Sequence, residues 1–163
     1  MKIFLSNETN IDALDSEMLK AIGDSVLIHE GQNPDEVAVG VYYVDKEKIK
    51  QINTQYRHKE KETDVITFRL LEGNKMQINK QNFLYDFDES IGAVYIGEIF
   101  ICLEVANEQA LTFAHSFMRE TAELFVHGML HILWHNHEEE GEKAIMRASE
   151  EAQFALLDKL IKD

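Results

Sequence analysis

The sequence has a single cysteine in 163 residues, which excludes an internal disulfide framework. One free thiol suits a reducing compartment, and Cys102 lies in an apolar stretch where it reads as an inert core residue. Basic residues are also scarce: 16 Lys and Arg stand against 30 Asp and Glu, a net charge of −14. Such a chain repels phosphate backbones, so any nucleic-acid contact must come from a local concentration of positive charge. No apolar run approaches the roughly 18 residues of a membrane span, and the opening MKIFLSNETN is too short and polar for a signal peptide. A cytoplasmic chain with no membrane partner is therefore expected. Internal repeats, low-complexity tracts and linkers are missing too, and 45% of the residues are hydrophobic. Residues 1–163 are expected to form one domain with a substantial core.

What is there reads as alternating strands and helices. Residues 2–6 form a first strand. A helix capped by Asn10 or Asp12 follows, with Ile11, Leu14, Met18, Ile22 and Val26 on one stripe. After a turn at Asn33-Pro34-Asp35 comes the β-rich run 37–44, then a short helix capped by Asp45. Strands are predicted over 64–70 and 91–102, separated by a polar, mobile surface loop over 72–90. Helices are predicted over 103–115, 117–134 and 138–161, the last with Ala144, Ile145, Ala148, Ala152, Ala155, Leu156 and Leu160 as its apolar stripe. This order predicts an α/β (α+β) domain: a mixed sheet packed with about five helices.

The segment TAELFVHGMLHILWHNH, residues 121–137, is the centre of the chain. Leu124, Phe125, Val126, Met129, Leu130, Ile132 and Leu133 cover nearly every direction around a helix, and a helix apolar all round is buried. His127 and His131 are one turn apart on it, with their rings on one face about 6 Å apart along the axis. His137 joins them only if the chain leaves the helix and folds back. A lone buried histidine is commonly a hydrogen-bonded core residue, but His-x3-His-x5-His is the spacing that a zinc ion on a helix and turn requires. His135 is a weaker candidate, since on a continuous helix it would lie about 12 Å from His127. It is expected to flank the site or to be a partly exposed residue of the turn.

These residues resemble a known family. His127-Gly128-Met129-Leu130-His131-Ile132-Leu133, closing at His137, is similar to the H-G-x-L-H-L-x-G-Y-D-H signature of the YbeY-type endoribonucleases, also described as ribosomal RNA maturation factors. A second block resembles the same family: Ile52-Asn53, Tyr56-Arg57, Lys59 and Thr63-Asp64-Val65-Ile66-Thr67-Phe68. A weaker third runs Ile96-Gly97-Glu98-Ile99-Phe100-Ile101, followed by Ala106 and Gln109-Ala110. Two departures stand out. Trp134-His135-Asn136 replaces the family's Gly-Tyr-Asp, which moves the expected left-handed turn toward Asn136, and Arg69 stands where the family has proline.

The resemblance implies a four-stranded sheet, mostly parallel with one antiparallel strand, and one Zn2+ per chain held by His127, His131 and His137. It implies an endoribonuclease that cuts single-stranded ribosomal precursor RNA, with the small ribosomal subunit as partner and no DNA. Three imidazoles leave one coordination position open for water, which zinc activates toward phosphorus. On charge alone the stretch Arg57-His58-Lys59-Glu60-Lys61 reads as a solvated loop. The resemblance turns it into a substrate-binding segment, with Lys59 and Lys61 on the RNA and Arg57 also stabilising the transition state. Two other functions fit the same spacing. One is a ribosome-assembly factor with a structural metal, closed by a fourth ligand such as His135 or Glu138. The other is a zinc peptidase, weakened because Gly128 stands where that class needs a glutamate base.

Overall fold

The computed structural model describes residues 1–162. Its elements are β1 (Lys2–Asn7), α1 (Ser16–His29), β2 (Val37–Val44), α2 (Lys46–Arg57), β3 (Val65–Arg69), β4 (Phe87–Asp88), β5 (Ala93–Cys102), α3 (Leu103–Phe113), α4 (Phe117–Ile132) and α5 (Glu140–Leu160). The main sheet order is β1-β2-β5-β3, with β1, β2 and β5 parallel and β3 antiparallel to β5. A fifth strand beyond the expected four, the two-residue β4, pairs antiparallel with the start of β5. The α/β class and the five helices are as predicted.

β2 and β5 are almost continuously apolar because both of their faces are covered. Val37, Val39, Val41 and Tyr43 of β2 point into the main core with α1 and α4, while Val44 packs with Ile49 and Ile52 of α2, Ile66 and Cys102 on the opposite face. Burial of Cys102 pushes its thiol pKa up, so it stays protonated in the core. The buried Tyr43 hydroxyl donates to the Leu14 carbonyl at 2.8 Å, which fixes the segment ahead of α1.

Three local expectations change. α1 starts at Ser16 with Asp15 as its cap, because Asn7 and Thr9 hold residues 7–11 in a side-chain-bonded turn instead. The segment 72–90 is packed rather than loose. Leu71 before it, and Ile78 and Phe83 within it, are buried, and Gln32 bonds both Met76 O (3.1 Å) and Ile78 N (2.8 Å). The face of α5 that is buried carries Met146, Gln153 and Leu157, leaving Ile145 63% exposed. Arg119 sets this rotation by clamping α5 through Asp158 and the Phe154 carbonyl. That cross-helix anchor is invisible to helical periodicity.

α4 contacts α1, α3, α5, β3 and β5, and its apolar side chains are buried on all sides. Its approach to the sheet is set by Gly128. A Cβ there would lie 2.9 Å from Ile99 Cγ2 and 3.2 Å from Thr67 Oγ1. Gly128→Ala gains about 1 kcal/mol of helix propensity. It also forces a methyl against a fully buried β-branched side chain, an overpacking that costs roughly 1–3 kcal/mol. A net loss of stability is expected, read as a lower urea midpoint at unchanged slope.

Candidate metal centre and cleft

Ser116 starts α4 by accepting a hydrogen bond from Arg119 N (3.0 Å), which sets the register of the helix. His127 and His131 then leave one face with ring centroids 4.6 Å apart. The helix ends in a Schellman-type reversal: Trp134 adopts φ +67°, and His135 N donates to Leu130 O at 2.9 Å. The left-handed residue is thus Trp134 itself and not Asn136. Holding a bulky residue there costs roughly 1–2 kcal/mol. The structure offsets this by fixing the indole, whose Nε1 donates to Gly73 O (3.0 Å) beside Phe83. The reversal brings His137 back until its ring centroid is 4.9 Å from that of His131 and 6.0 Å from that of His127. Ligand atoms of the three histidines all lie within 4.8 Å of one another.

The outer ring nitrogens are already engaged. His131 Nδ1 faces the His135 carbonyl (3.2 Å), which only accepts, so the proton sits on Nδ1. His127 Nδ1 faces Glu150 Oε1 at 2.5 Å, which assigns the same tautomer. The two Nε2 atoms therefore turn their lone pairs toward each other 3.0 Å apart, an arrangement that calls for a cation between them. Burial, reinforced by His127 and His137, pushes His131 down to about 4, so its ring is neutral, as a ligand must be. This donor set fits a divalent metal.

His135 turns away from the trio. The residue is partly exposed in the turn, as expected, while its side chain tucks in to meet Glu30 Oε2 at 2.9 Å. Burial opposes ionisation of Glu30, but the hydrogen bond and charge of His135, together with Ser149 and Lys75, outweigh it and hold the carboxyl at about 2. His135 thus serves the site only through its main-chain carbonyl. Glu150 escaped the sequence reading. Its signal is an acid on the inward row of α5, between Met146 and Gln153.

The trio opens into a cleft of about 930 Å³ that Arg57, Lys59 and Arg69 also line. Arg57 ends α2, and His58 follows it in the left-handed region. Buried Asn53 shapes the loop beyond, accepting from Lys59 N (3.2 Å) and donating to Lys61 O (3.0 Å). Lys61 itself falls outside the cleft. A second polar group, His115, Glu120 and Glu123, is internally engaged: His115 meets Glu120 at 2.5 Å and Arg119 holds Glu123 at 2.7 Å.

Fold and site together define a class: an α/β domain whose central helix and following turn present a candidate histidine metal centre beside cleft-lining arginines. The family description Endoribonuclease YbeY matches residues 4–158. An endoribonuclease YbeY from Clostridium botulinum (strain Loch Maree / Type A3) is 41% identical over 156 residues, covering 91% of this chain and 93% of the relative. One from Caldanaerobacter subterraneus subsp. tengcongensis is 40% identical over 152 residues, covering 93% and 94%. The solution structure of TM1509 from Thermotoga maritima matches with a TM-score of 0.59 and 26% identity, covering 97% of this chain and 88% of that one. The chain belongs to the endoribonuclease YbeY family and is by that membership a hydrolase.

The depressed pKa of His131 has a consequence for chelator-treated protein. Between about 4 (folded) and 6.5 (the ordinary value), the unfolded state binds more protons at this ring. Stability therefore rises with pH across that window. It is fully present above 6.5 and is lost as pH falls toward 4. Melting temperatures of metal-free protein should decline over this interval, and His131→Gln should flatten the decline.

Proposed function

We propose that this protein is a zinc-dependent endoribonuclease that cuts single-stranded ribosomal precursor RNA in the cytoplasm, in company with the small ribosomal subunit. One observation carries the reading: three histidines with converging ligand atoms share a cleft with Arg57 and Lys59 in a chain of strongly negative net charge. His127, His131 and His137 hold the metal. When bound, zinc supplies Lewis acidity that lowers the pKa of water enough for attack on phosphorus near neutral pH. Arg57 grips the scissile phosphate through its planar fork, and this contact strengthens as negative charge builds in the pentavalent transition state. Lys59 adds charge to the same strand. Glu150 and the His135 carbonyl keep the Nε2 atoms of His127 and His131 directed inward.

The competing functions draw less support. A structural zinc closes with four protein ligands, and among the described residues no fourth His, Cys, Asp or Glu joins the trio. A peptidase needs a base at position 128, where Gly128 instead packs on Ile99.

Protein purified without added metal is expected to carry about one zinc per chain, and His137→Ala should lose most of it. A single-stranded precursor rRNA fragment should be cut by wild type and left intact by His127→Ala. Arg57→Ala should keep its zinc while kcat falls roughly 10²–10³-fold. If wild type and His127→Ala act identically on that RNA, the assignment fails. Glu150→Gln, assayed by competition with a chromogenic chelator, should weaken zinc binding about 10–100-fold without changing the fold.

A further inference from the structure

Arg69 brings to the cleft a charge that no carboxylate of the described residues pairs. Strand alternation decides where it goes. Ile66 and Phe68 of β3 point to the face covered by α2, so Val65, Thr67 and Arg69 share the opposite face, and all three line the cleft with His127 and His131. Arg69 is exposed at the end of the strand, paired with Gly97 in the backbone ladder.

Six of the chain's 16 basic side chains are held in ion pairs. Lys20, Lys46, Lys75, Lys80, Arg119 and Arg147 each meet a carboxylate. Among the described residues, no carboxylate lies within ion-pair distance of Arg69, nor of its cleft neighbours Arg57 and Lys59. The lining also carries Asp64, Glu138 and Glu142, but none of these is paired with Arg57, Lys59 or Arg69, so three cations beside the histidines stay free to meet an external anion. Arg57 precedes the entry to β3 and Arg69 closes its exit, a strand length of roughly 13 Å from Val65 at about 3.3 Å per residue. Both guanidinium-bearing residues therefore line the cleft that holds His127 and His131, one from the end of α2 and the other from the end of β3.

We propose that Arg69 is a second phosphate-binding residue, which holds a backbone phosphate of the RNA strand neighbouring the one at the histidine trio. This rests on the nuclease reading and deepens it. The substrate becomes a strand gripped at two points, so recognition requires an oligonucleotide and is indifferent to base identity at the Arg69 end. A planar guanidinium suits this task, since it takes two phosphate oxygens at once.

The test is fluorescence anisotropy of two single-stranded 12-mer RNAs of different sequence, titrated with the zinc-loaded protein over a range of salt. The proteins are wild type, Arg69→Ala, Arg69→Lys and Lys159→Ala, which removes an exposed charge of α5 that does not line the cleft. Each phosphate neutralised on a single strand contributes about 0.7 to the slope of log affinity against log salt. Arg69→Ala should lower that slope by about 0.7 and weaken both RNAs roughly tenfold at low salt. Arg69→Lys should keep the slope, and Lys159→Ala should match wild type. An unchanged slope and affinity for Arg69→Ala overturns the proposal, as does an equal loss for Lys159→Ala, which would reduce the effect to net charge. If wild type binds neither RNA, the nuclease reading itself falls, a result distinct from failure of Arg69 alone.

Discussion

A helix with apolar side chains on nearly every face has no stable place except inside other elements, and α4 imposes that condition on the whole domain. The sheet lies beneath it, α1, α3 and α5 pack around it, and the absent side chain of Gly128 lets it sit close on Ile99 and Thr67. An element held this tightly has little freedom to turn or slide. The directions of His127 and His131 are therefore consequences of core packing, and their tautomers follow from groups that the same packing delivers. Glu150 comes from α5, and the His135 carbonyl comes from the chain leaving α4.

The third histidine depends on a different device. His137 lies beyond the helix, so its position relies on the reversal at Trp134. A left-handed tryptophan is unfavourable in isolation, and the compensation comes from the indole's hydrogen bond to Gly73 and its contact with Phe83. The long segment between β3 and β5 thus acts as a support for the candidate metal centre. Its anchors on Gln32, together with the His135–Glu30 contact, tie the turn back to α1 and the loop just after it.

The cleft gathers three basic side chains, Arg57, Lys59 and Arg69, beside three acids, Asp64, Glu138 and Glu142. Acids outnumber bases in the chain, and Lys20, Lys75 and Arg119 outside the cleft are neutralised by neighbouring carboxylates. The three bases of the cleft are not. Net charge measures solubility and long-range repulsion, whereas a polyanion responds to the field where it docks. On the proposed function, the unpaired Arg57, Lys59 and Arg69 give a phosphate chain its foothold beside the histidines.

Much of this was legible in the residues themselves. A run of β-forming residues marked β2 over 37–44, Asp45 announced α2, and the four-residue spacing of His127 and His131 required a shared face. These are local regularities, governed by backbone geometry and by hydrogen bonds between near neighbours. The start of α1, the packed segment 72–90 and the buried face of α5 were not legible, because side-chain bonds and distant anchors such as Arg119 decide them. The site divides the same way. Sequence by itself determined that two imidazoles sit one turn apart on a buried helix, and that positive charge gathers near Arg57. Tertiary structure alone decided that Trp134 rather than Asn136 makes the turn, that His135 faces Glu30, that Glu150 orients His127 and that Arg69 joins the cleft. Each of those depends on which distant segment packs alongside, and no local period encodes that.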